Sequence, residues 1–100
     1  MVKLIALYRK PADIEAFDKH YNEIHIPLTK KIPGLRKFEV TKITGALMGE
    51  TKFYLMTELY YDSADAMNAA NASPEGKAAG RDVMSFAADI VTFFYGEVKE

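Results

Sequence analysis

Apolar and polar positions along this chain switch between two rhythms. Residues 2 to 9, VKLIALYR, favour extended backbone and predict a strand, which Pro11 closes before Asp13, a plausible helix N-cap. Beyond it Ile14, Phe17, Tyr21, Ile24 and Leu28 recur at spacings of three and four, with Glu15, Asp18, Lys19 and Glu23 on the opposite face, so an amphipathic helix follows. Pro33-Gly34 ends it. Residues 35 to 44 and 52 to 61 predict two strands joined through TGALMGET, whose two glycines suit a hairpin connection. Ser63 offers an N-cap for a short helix over 64 to 71. Ser73-Pro74-Glu75 starts another, with Val83, Phe86 and Ile90 at helical spacing and an end near Asp89, and DIVTFFYGEV closes the chain as a strand.

The order β-α-β-β-α-β in 100 residues, unbroken by linker or repeat, is the split βαβ pattern of ferredoxin-like domains. It predicts a single α+β domain over residues 1–100, an antiparallel four-stranded sheet with helices on one face. In a lone monomer such strands alternate, apolar toward the helices and polar toward water. These do not. Val2, Leu4, Ala6 and Tyr8 share one face of the first strand and Ile5 and Leu7 the other, while in the third Phe53, Leu55, Leu59 and Tyr61 oppose Tyr54, Met56 and Tyr60. An apolar outer face has to be covered, and the economical cover is a second copy packed sheet against sheet, a homodimer.

Composition narrows the partners. A formal net charge of -1 with no basic tail leaves no electrostatic footprint for nucleic acid or an anionic membrane. RNA-recognition domains share the element order, but TKFYLMTELYY lacks their aromatic and basic signature. Cysteine is absent, which excludes disulfides, thiolate nucleophiles and cysteine-based metal sites. No apolar run approaches the roughly 18 residues of a membrane span, and MVKLIALYRK is too short for a signal segment. The chain is expected to be soluble and cytoplasmic, with a small molecule as its partner.

Candidate chemistry concentrates in EIHIPLTKKIPGLRKFEV, residues 23 to 40, where a histidine precedes a proline by two residues inside the helical pattern. Pro27 has no N–H for the Glu23 carbonyl, so the helix is expected to kink or loosen there. At about 100° per residue His25 lies roughly 70° to one side of the apolar stripe and His20 roughly 70° to the other, so the two imidazoles flank the buried face and do not meet on one metal. A freed carbonyl beside His25 on an apolar wall has the composition of a small-ligand pocket. In the proposed fold this helix end lies over Phe38 on the second strand and Leu59 and Tyr61 on the third, and Tyr21 shares its edge with His25. The expected pocket is lined by Tyr21, Phe38, Leu59 and Tyr61, with His25 as the catalytic or hydrogen-bonding residue. His20 reads as a border residue, the strand aromatics as core and interface, and Asp82 as helix surface. No cofactor or metal is expected: haem would find only His25 or His20 as imidazole ligands, and their spacing does not favour it.

HYNEIHIPLTKKIPGLRKFEV, residues 20 to 40, together with ASPEGKAAGRDVMSFAADIVTFFYGEV, residues 72 to 98, resembles the EthD family of the dimeric α+β barrel superfamily. The H-x-P-L and P-G-L runs and the S-P-E-G with a downstream aspartate carry the resemblance, which extends over essentially the whole chain. It implies a ferredoxin-like monomer forming a dimeric α+β barrel with its mate. The family is named for ethyl tert-butyl ether degradation, where its member is required without an established chemical role. Superfamily relatives include muconolactone-type isomerases, cofactor-free polyketide monooxygenases and fungal polyketide decarboxylases or dehydratases. In methylmuconolactone isomerases a similar helix histidine works with a tyrosine on the second strand and a cysteine on the third. His25 matches that histidine, whereas Phe38 and Leu59 stand at the other two positions and count against that isomerase chemistry. The resemblance therefore implies a histidine able to accept or donate a proton near neutral pH in an apolar pocket.

Two functions fit these features. One is an enzyme or accessory that binds or transforms a small hydrophobic carbonyl or aromatic compound in a catabolic or secondary-metabolite pathway. The other is a non-catalytic homodimer that binds such a compound.

Overall fold

The computed structural model describes all 100 residues. Strand β1 (Val2–Arg9) leads to helix α1 (Ile14–His20), where the Asp13 carboxylate accepts the Ala16 N–H at 3.0 Å and satisfies one of the free donors of the first turn. The helical path continues through a π-helical turn (Tyr21–His25) into α2 (Ile26–Lys30), and the chain then reverses at Gly34, whose φ of 80° favours glycine. Strands β2 (Lys37–Lys42) and β3 (Phe53–Tyr61) follow, then α3 (Ala64–Ala72), α4 (Pro74–Ala87) and β4 (Val91–Glu97). Ser63 and Ser73 cap α3 and α4, their hydroxyls accepting the Ala66 and Gly76 amides. Each such cap contributes about 1 kcal/mol. The elements stand in the expected order, with β2 and β4 shorter at their ends than the periodicity suggests and α4 stopping at Ala87 rather than near Asp89.

The strands form one antiparallel sheet in the order β2-β3-β1-β4, the ferredoxin-like arrangement. Val2, Leu4, Ala6 and Tyr8 pair with Tyr61, Leu59, Thr57 and Leu55, and these side chains meet the helices. At the end of this ladder Tyr8 pairs with Leu55 but Arg9 with Phe53, so β3 carries one extra residue, Tyr54. A bulge of this kind re-aims a side chain. Tyr54, expected on the outer face, is buried instead against Phe17, with ring centroids 5.9 Å apart and its hydroxyl donating to Asp18. The outer face carries Ile5, Leu7, Met56 and Phe94, none of them fully buried. At its centre is an ion pair: Glu58, opposite Ile5, is buried and accepts from Lys3 Nζ at 2.6 Å.

The first helical segment departs furthest from its periodicity. The Ile26 N–H donates to the Tyr21 carbonyl, five residues back instead of four. Pro27, immediately beyond, has no N–H to offer either the fourth or the fifth carbonyl behind it. The loosening expected at the proline thus takes the form of a wider turn just ahead of it. Buried positions then run Phe17, Tyr21, His25, Thr29, while Ile24, expected on the buried stripe, is 47 % exposed. In an uninterrupted α-helix, positions four apart drift by about 40° per step. The inserted residue removes that drift, and His25 and Thr29 face inward where Ile24 and Leu28 were expected.

Candidate functional site

The π-turn also decides where the histidines go. Residues five apart stack on one another in such a turn, and His20 and His25 are five apart. Their expected separation on opposite borders holds only for regular α-helix. Here His20 Nε2 lies 2.9 Å from Asp82 Oδ1 and His25 Nδ1 lies 3.0 Å from Asp82 Oδ2. Asp82 reaches them from α4 with a side chain only 13 % exposed, so it is not the surface residue its helix position suggested. Phe86, one turn further along α4, packs against both imidazoles, and Tyr21 packs against His25 with centroids 5.3 Å apart.

Beside His25, between the helices and the centre of the sheet, lies a cavity of about 90 Å³. His25 and Thr29 line it from the helical side, Tyr8, Thr57 and Leu59 from the strands, and Gly76, Ala79, Gly80 and Val83 from α4. The run of small residues on α4 leaves this space open. At Gly76 the small residue is also required by packing, because an added Cβ would stand 2.0 Å from the Ala70 carbonyl oxygen of α3. A separate, larger cleft of about 610 Å³ opens between the start of α1 and the end of α4, with His20 and Phe17 in its wall.

Burial lowers the pKa of His25 below its ordinary value of 6.5, and the hydrogen bond and charge of Asp82 act in the opposite sense. Burial, the larger effect, therefore favours the neutral imidazole. Burial pushes the Tyr21 phenol up to about 12, against the effect of its hydrogen bond with Thr57. Tyr8 is raised as well, by burial first and then by the neighbouring Tyr21 and Asp82. Both phenols keep their protons and act as neutral hydrogen-bonding groups. The Thr29 hydroxyl is already committed to the His25 carbonyl at 3.1 Å, which ties the last residue of the π-turn to α2.

Of the residues expected to form one pocket, His25 and Leu59 line the cavity. Tyr21 stands behind it, touching the His25 ring and sharing a hydrogen bond with Thr57. Phe38 and Tyr61 pack in the neighbouring cluster with Ile32, Met67 and Ala70, and the buried Tyr61 hydroxyl has no partner within the chain. The cavity sits nearer the middle of the sheet than expected, its strand lining coming mainly from the central strands β1 and β3 (Leu4, Ala6, Tyr8, Thr57, Leu59) and none of it from β2, which carries Phe38. Thr57 was not singled out from the sequence, although a threonine between Leu55 and Leu59 on the inward face of β3 is a signal that could have found it. Asp82 carried no such signal, since its contacts lie 57 and 62 residues away in sequence. No group of three or more His, Cys, Asp or Glu residues is placed to hold a metal ion, and no helix is long and apolar enough to cross a membrane.

Comparison with known proteins adds family to fold. The sequence model of the EthD domain matches residues 9–90. An uncharacterised 11.0 kDa protein of the thcB-thcC intergenic region of Rhodococcus erythropolis is 36 % identical over 95 residues, covering 95 % of this chain and 92 % of that protein. The crystal structure of an EthD family protein from Bacillus halodurans superposes with a TM-score of 0.95 at 55 % identity, over 98 % of both chains. A dimeric ferredoxin-like protein of unknown function from Thermobifida fusca shares the fold, with a TM-score of 0.72 at 18 % identity over 97 % of this chain and 90 % of that one. On the family match and the two nearer relatives, the chain belongs to the EthD family.

Proposed function

We propose that the chain binds a small hydrophobic carbonyl or aromatic compound in the cavity and that His25 moves a proton on it. The position of His25 supports this: Nδ1 is engaged by Asp82 while the ring lines the cavity, so Nε2 is the nitrogen left for a ligand. A carboxylate only accepts hydrogen bonds, which places the proton on Nδ1 and the lone pair on Nε2. Held neutral by burial, the ring is a base at pH 7. Tyr8 and Thr57 bring hydroxyls to the same cavity, suited to an oxygen on which negative charge develops. Together they favour proton removal from a phenol or from the carbon beside a carbonyl. The cavity, about 90 Å³, is smaller than the one of about 150 Å³ that holds benzene, so it fits a compound of a few heavy atoms or the end of a longer one.

Hydrogen–deuterium exchange at the α-carbon of butanone, followed by NMR, tests the reaction. Catalysed exchange that falls by about 10²-fold or more in a folded His25→Gln variant supports proton transfer. Butanone that binds in the cavity with no exchange above buffer leaves a non-catalytic binding module.

A homodimer packed sheet against sheet is part of the same proposal. The Thermobifida fusca protein is described as dimeric, and Ile5, Leu7, Met56 and Phe94 lie uncovered on the outer face. A stable species of 11.2 kDa in sedimentation at micromolar concentration would contradict it.

A further inference from the structure

We infer that His20 is a working residue of this site: it exchanges protons with solvent in the outer cleft and, through the shared Asp82 carboxylate, sets how firmly His25 holds a proton taken in the cavity. This role presupposes that His25 handles a proton there, and extends the site to a residue that touches no ligand in the cavity.

The geometry supplies one carboxylate for two imidazoles, each oxygen bonded to one ring at 2.9 and 3.0 Å. The rings have different surroundings. The His25 side chain is 9 % exposed and faces the cavity, whereas that of His20 is 32 % exposed and forms part of the cleft wall. Phe86 packs against both rings, so the polar connection between cavity and cleft runs through Asp82. The other titratable groups facing the rings are Tyr21 from their own segment and Tyr8 from β1, with Asp13 and Asp89 in the cleft beside His20.

One carboxylate balances one imidazolium. In the arrangement where the extra proton sits on His20 and His25 is neutral, the three groups together carry no net charge. When His25 Nε2 takes a proton, the bonding electron pair stays on the ligand and the set becomes positive. His20 then releases its Nδ1 proton to water in the cleft, and neutrality returns. One proton leaves the ligand and one enters solvent, without the cavity opening. The reverse sequence delivers a proton. Two groups coupled in this way titrate as a pair.

The test is an NMR titration of both imidazoles, without ligand, in the wild type, His20→Gln and His20→Phe. Glutamine keeps a donor for Asp82 but carries no charge, and phenylalanine keeps neither. In the wild type the histidines should titrate in two linked steps. In His20→Gln the His25 curve should become a single step with its midpoint raised by about half a pH unit or more, because a competing positive charge is gone. A His25 curve that superimposes on the wild type in a folded His20→Gln protein would overturn the role and leave His20 as a packing residue. Should His20→Phe fail to fold, His20→Gln alone decides. Failure of compounds to bind the cavity would count against the proposed function but leave this titration, which uses no ligand, unaffected.

Discussion

His20 and His25 bond opposite oxygens of one carboxylate although a regular helix would hold them on opposite borders of the buried face. The π-turn between them is the physical cause, and Pro27, which cannot close the hydrogen bonds of a regular helix, stands just beyond it. π-turns are rare and recur at functional positions, consistent with the packing it forgoes at Ile24 to bring in two polar residues, His25 and Thr29.

Asp82→Asn is expected to disturb both rings at once. An amide accepts through its oxygen but presents N–H groups on its other side, so one imidazole must change tautomer or lose its partner. Hydrogen bonds to a charged group contribute about 1.5–3 kcal/mol, and a loss of roughly that size should appear in urea unfolding. The His25 midpoint should fall as well, since Asp82 is the group holding it up against burial. An unchanged midpoint in a folded variant would show that Asp82 does not govern the ring.

Acid should weaken the fold through His25. Its pKa in the folded protein lies below the ordinary 6.5 of the unfolded chain, so between those two values the unfolded chain binds more protons. The contribution is therefore complete above about pH 6.5 and is lost as pH falls through the folded value, with a slope of at most about 1.4 kcal/mol per pH unit. Asp62, lowered from 3.8 by Arg36, acts in the same sense only in stronger acid. Calorimetry at pH 7.5, 6.5 and 5.5 should show the melting temperature nearly level between the first two and lower at the last, and His25→Gln should flatten that decline.

Gly76→Ala should be strongly destabilising. The new Cβ would collide with the Ala70 carbonyl, a backbone atom that moves only if α3 and α4 separate. Overpacking of this kind costs about 1–3 kcal/mol, and here it would also deform the cavity wall. Gly80→Ala is the control, because its Cβ would meet nothing within 4 Å. Equal melting temperatures for the two variants would contradict the close approach of the helices.

The caps at Asp13, Ser63 and Ser73 and the ferredoxin-like order were legible because each depends on chemistry a few residues wide. The bulge at Tyr54 and the π-turn each insert one residue, and either insertion moves side chains between faces that simple periodicity keeps apart. Phe17 and Asp18 receive Tyr54 from a distant strand, and Asp82 receives both histidines from a distant helix. Such placements are decided by tertiary partners, which local spacing does not encode. His25 itself was legible because a histidine beside a helix-breaking proline stands out locally. Its partner was not.

Titrating butanone into the protein while recording the His25 ring resonances tests the central claim most directly. The account predicts a saturable shift at His25, accompanied by the side-chain signals of Thr57 and Leu59 and abolished in a folded His25→Ala variant. Shifts confined to the outer cleft, at Ala12, Met84 and Ile90, with His25 unmoved, would contradict it.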